Sequence, residues 1–88
     1  MRLLIIHQPN SEQGRVVDEF THEFSRIHPG VNIQLMDSDS VEAEDIIKLY
    51  DIMQYPAMLV QTDEGQLQHM WIGMVLPLMD EVMGYLNA

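Results

Sequence analysis

Few residues in this chain are of a type that could do chemistry. Ser11 opens a helical pattern, where a helix N-terminus would stabilise an anion, and His7 is the only imidazole close enough in sequence to serve it as a base. The same serine reads more strongly as a helix N-cap. Nothing nearby resembles a phosphate-binding loop, a dinucleotide fingerprint or a nucleophile elbow. His7, His22, His28 and His69 include no i, i+4 pair of the kind a metal-binding helix uses. Asp37, Asp39, Glu42, Glu44 and Asp45 cluster where a second helix should begin. An EF-hand loop starting at Asp37 requires glycine where Glu42 stands and glutamate where Lys48 stands, so that motif fails. Acids complementing a helix dipole are the better reading. His7, Met53 and Met74 together would suit Cu(I), but no spacing links them. No metal and no cofactor is expected.

The chain has 88 residues and no cysteine. A CxxC redox pair, a cysteine nucleophile and a zinc ribbon are therefore all excluded. A hydrophobic share of 47% with 20% charged residues is a globular balance, and residues 1–88 should form one domain. The net charge of −10 sets the surface against phosphate backbones and anionic lipid, so neither nucleic acid nor membrane is an expected partner. Arg2 precedes an apolar run that His7 ends too early for a signal peptide, so a cytoplasmic protein is expected.

These residues must be positioned by regular elements, and the hydrophobic period shows which. Leu3 to Ile6 is a continuous apolar run of the kind buried on both faces of a sheet. Val17, Phe20, Phe24 and Ile27 then fall at helical spacing, closed by His28-Pro29-Gly30. Val31, Ile33 and Leu35 alternate with polar residues, as in a half-buried edge strand. Val41, Ala43, Ile46, Ile47 and Tyr50 mark the apolar side of a second helix. Asp51 to Tyr55 is a loop ending at Pro56, and Ala57 to Val60 is a third strand. Asp63-Glu64-Gly65 is a turn into a fourth strand, Gln66 to Ile72, with Trp71 packed under a helix. Pro77 suits the first position of a last helix carrying Leu78, Val82, Met83 and Leu86 inward. The order is β-α-β-α-β-β-α. The expected fold is α/β, a four-stranded mixed sheet in the order 2-1-3-4 with helices on both faces, the first and third on one and the second on the other.

That order, with the segment YDIMQYPAMLVQTDEGQLQHMWIG, resembles the thioredoxin-like superfamily. Tyr50, Ile52, Pro56, the apolar run after it, Gly65 and Gly73 carry the resemblance, with Val17-Asp18-Glu19-Phe20 and Leu35-Met36-Asp37 matching more loosely. The resemblance implies a cis bond at Tyr55-Pro56, facing the place of the redox motif. That place is Ser11-Glu12-Gln13-Gly14, or His7-Gln8-Pro9-Asn10 in an alternative register, and neither holds a thiol. Pro9-Asn10-Ser11 is also similar to the start of KaiB-type clock proteins. Thioredoxin-type hydrogenase-maturation chaperones without cysteine are another relative by fold. Both imply binding rather than catalysis.

The expected function is a non-catalytic protein-binding module, an adaptor, chaperone or assembly factor. Met53, Tyr55, Pro56 and Met74, with Gln8, Pro9, Asn10 and Ser11, would hold a protein or peptide partner. Methionine on a loop makes an adaptable apolar contact, whereas Met36, Met58, Met79 and Met83 suit core filling. The alternative is a cysteine-independent enzyme or accessory subunit binding a small ligand such as glutathione near Ser11. A homodimer through the edge strand 66–72 is a further expectation, because few charges guard it.

Overall fold

The computed structural model describes residues 1–87. β1 (Arg2–His7) lies at the centre of a four-stranded sheet, parallel to β2 (Asn32–Asp37) and antiparallel to β3 (Ala57–Gln61). β3 pairs antiparallel with β4 (Leu67–Ile72), which gives the strand order β2-β1-β3-β4. Burial follows position in the sheet. Leu3 to His7 and all of β3 are buried, whereas β2 and β4 are edge strands with exposed residues.

The two sheet faces are covered by different helices. Leu3 and Ile5 of β1 meet Met58 and Val60 of β3 on one face, under Val17 and Phe24 of α1 (Glu12–Ile27) and Val82 of α3 (Met79–Leu86). Leu4 and Ile6 meet Ala57 and Leu59 on the other face, under Ala43 of α2 (Val41–Leu49) and Ile52. The alternation of Leu3 to Ile6 between two cores is the period of two that a pleated strand imposes. Trp71 packs against the first core, opposite Met58 in the β3–β4 register.

Local sequence accounts for most element ends. Ser40 caps α2 by accepting the Ala43 N–H at 3.1 Å, and acids occupy its first turn. Gly65 adopts φ 90 and Gly73 adopts φ 104, both left-handed positions that glycine takes without cost. Arg26, in the last turn of α1, donates to Glu23 one turn back, and that hydrogen bond holds the Glu23 carboxyl below its ordinary range. Among the described residues, no helix is long and apolar enough to cross a membrane.

Several expectations need correction. Pro77 does not open α3. The N-cap is Leu78, which is 71% exposed, and the helix begins at Met79. Glu81 closes this end instead, accepting the Leu78 N–H at 3.4 Å. Val41 and Ile27 lie at the ends of their helices and face solvent rather than the core. In β2, Leu35 is exposed, while Met36 is buried as expected and shares the α2 face with Ile6. β2 and β4 each begin one residue later than the pattern suggested, at Asn32 and Leu67.

Candidate functional site

The register brings four loops to one end of the sheet. β1 and β2 finish together, with His7 opposite Asp37. β3 starts there, with Ala57 opposite Ile6, and β4 finishes there, with Ile72 opposite Ala57. The segments 8–11, 38–40, 51–56 and 73–78 therefore share this pole. All eight partner-binding candidates lie on three of them.

Two neighbouring surfaces result. The first is built from the loops on either side of β3 and β4. The Gly73 N–H donates to the Pro56 carbonyl at 3.0 Å, which ties the two loops together. Gly73 also runs close to the Gln54 side chain, since a Cβ there would stand 3.3 Å from Gln54 Oε1. The Tyr55–Pro56 peptide bond is cis, and Pro56 is buried. Tyr55 packs partly into the α2-side core. Met53 is 80% exposed, Met74 48% and Val75 92%. Val75 was missed from sequence, although its place beside Met74 after a chain-reversing glycine could have flagged it. Among the described residues, no backbone hydrogen bond is donated by Met53, Gln54 or Tyr55. Free N–H groups beside exposed apolar side chains are what an extended peptide needs for main-chain pairing.

The second surface is an open pocket of about 230 Å³ lined by Gln8, Pro9, Asn10, Ser11, Asp37 and Asp39. It sits at the carboxyl ends of the parallel pair β1 and β2. Their following helices leave to opposite faces, α1 to one and α2 to the other. Crevices at such a divergence are the usual ligand positions of open α/β sheets. Gln8 to Ser11 thus line this pocket, at the same pole as Met53, Tyr55, Pro56 and Met74.

Ser11 stands at the N-cap of α1, but its side chain does not cap the helix. Its hydroxyl donates to the Gln8 carbonyl at 2.6 Å and closes the loop on itself. His7 is 6% exposed, and its Nδ1 has no hydrogen-bond partner. No hydrogen bond joins Ser11 to His7, so the pair is not arranged as nucleophile and base. Two of the five carboxylates near α2, Asp37 and Glu44, have structural partners. Asp37 Oδ1 accepts the Asp39 N–H at 2.8 Å, and Lys48 pairs with Glu44 at 3.0 Å. Among the described residues, no group of three or more histidine and carboxylate side chains could hold a metal ion. His69 instead stacks on Tyr85 at 4.2 Å, with Trp71 edge-on to both rings.

No family model and no curated protein matches the sequence. Solved structures do match the fold. Thioredoxin 1 from the thermophilic eubacterium Thermosipho africanus TCF52B superposes with a TM-score of 0.67 at 9% identity, covering 99% of this chain and 91% of that one. A structure concerning the thiol resolving mechanism of yeast mitochondrial 1-Cys peroxiredoxin via glutathione/thioredoxin systems also gives 0.67, at 20% identity, covering 99% and 79%. The chain therefore has a thioredoxin-like fold, and it has it without a cysteine.

Proposed function

We propose that this thioredoxin-like chain is a non-catalytic binding module that holds an extended segment of a partner protein at the proline pole. The observation that carries the reading is the exposure of Met53, Met74 and Val75 on two loops joined by the Gly73–Pro56 hydrogen bond. Large apolar side chains held outward on tied loops favour a partner surface over incidental exposure. The free N–H groups of Met53 to Tyr55 supply the main-chain half of the contact. The partner is a protein in the cytoplasm rather than nucleic acid or a membrane, in keeping with the charge of −10.

The competing small-ligand reading puts glutathione or a similar anion in the pocket at Ser11. Asp37 and Asp39 line that pocket, and their charge opposes an anion there. Self-association through β4 is the other alternative, and sedimentation at several concentrations separates it from binding of a partner.

The test compares wild type with a Met53→Asp, Met74→Asp variant in capture from a native extract, followed by affinity measurement on the purified partner. Both positions are exposed, so the variant should keep the wild-type circular dichroism spectrum and lose at least tenfold in affinity, about 1.4 kcal/mol. Equal affinity of the folded variant would remove the pole from the binding site.

A further inference from the structure

We infer that the segment held at this pole is cationic, an extended stretch in which an apolar residue is flanked by lysines or arginines. The inference rests on the proposed docking role and adds the chemistry of the occupant.

The carboxylates at this pole support it. Glu12 begins α1, Asp37 ends β2 and Asp39 follows it, Asp51 precedes Met53, and Asp80 and Glu81 lie in the first turn of α3 after Met74 and Val75. All six are exposed. The segments 8–12, 37–40, 51–56 and 73–81 contain no lysine or arginine. Arg2 lies at the opposite end of the sheet, paired in register with Asn32 and Gln61. Arg26 is in the last turn of α1, about 20 Å along the helix from its first turn. Arg15 approaches Glu12 at 4.0 Å and Lys48 is paired with Glu44, so neither offers an unpaired positive charge.

The helix N-termini act in the opposite sense. α1, α2 and α3 all start near this pole, and each N-terminus is equivalent to about +0.5 charge. Three of them, together with Arg15 beside Glu12, offset less than half of the six carboxylate charges, so the pole stays negative. An acidic peptide brought to Met53 and Met74 would be repelled. A basic one would be drawn in and oriented by charges around the rim of the contact. The apolar centre and the free N–H groups would then hold it.

Three synthetic peptides test the inference. Each has the centre Leu-Val-Leu, flanked on both sides by arginines, by serines or by glutamates. Binding is followed by NMR at the Met53 and Met74 methyls and the Tyr55 amide. The arginine peptide should move these signals, bind most tightly, and weaken severalfold between about 0.05 and about 0.3 M salt. The triple variant Asp39→Asn, Asp51→Asn, Asp80→Asn should bind it roughly tenfold more weakly, three exposed charges each contributing a modest amount. Asparagine tolerates the left-handed backbone of residue 51, φ 52, so the variant should fold, as unshifted Val17 and Phe24 signals would show. Equal affinity for the serine and arginine peptides, with shifts at the same three residues, would overturn the charge inference and leave the docking site standing. Absence of shifts at Met53, Met74 and Tyr55 with every peptide would overturn both.

Discussion

His7 ends β1 with an imidazole that is buried yet leaves Nδ1 without a partner. A buried polar atom in that condition costs about 1–3 kcal/mol relative to a satisfied one. An apolar replacement of similar size removes the cost. His7→Leu should therefore leave the urea midpoint unchanged or raise it, as measured by fluorescence of Trp71. A loss beyond about 1 kcal/mol would mean that the ring is satisfied in solution, for instance by water. Nothing in the sequence signalled this burial, because a histidine after four apolar residues reads equally well as the point where a strand leaves the core. Ser11 teaches the same lesson. Its N-cap position was legible, but its bond to Gln8 was not, since the choice between helix N–H and loop carbonyl depends on how Gln8-Pro9-Asn10 folds.

At the scale of elements, α1 is held against the β1–α1 loop by one glycine. A Cβ on Gly14 would meet the Pro9 carbonyl oxygen at 2.3 Å, and that atom is backbone and cannot swing away. Gly84 in α3 has open space around it. The two positions therefore predict opposite results for one change. Gly14→Ala should destabilise by about 1–3 kcal/mol and shift the Pro9 loop, whereas Gly84→Ala should stabilise by about 0.5–1 kcal/mol. Urea denaturation of the two variants beside wild type checks the pair. Equal shifts would show that the α1–loop contact is looser than described. The helices themselves were legible from period. Val17 and Phe24 are buried as their spacing requires, because a period of 3.6 directs them to one side. The ends were less legible. Val41 and Leu78 fit the apolar stripe, yet they sit where a helix runs beyond the sheet and has nothing to pack against.

The whole molecule places its most buried strands, β1 and β3, side by side at the centre and leaves the polar edges to β2 and β4. This arrangement was legible because two continuous apolar runs, Leu3 to Ile6 and Ala57 to Val60, have to be covered on both faces. The candidate site was legible only in outline. Met53 and Met74 stood out as methionines outside any helical or strand pattern. Their placement at the same pole as the Gln8-to-Ser11 pocket depends on strand register, which local composition does not carry. Burial of the methionines has a further consequence. Thioethers accept oxygen from peroxide, forming a sulfoxide with release of water, and the reaction needs access to sulfur. Met53 is 80% exposed and Met74 48%, while Met58 is 1% and Met36 7%. Mild peroxide should therefore convert Met53 and Met74 well before Met58 and Met36, read by mass spectrometry of peptides, without unfolding the chain. A molecule that lacks any thiol would still meet oxidants first at its proline pole, where the sulfoxide would make the apolar patch polar.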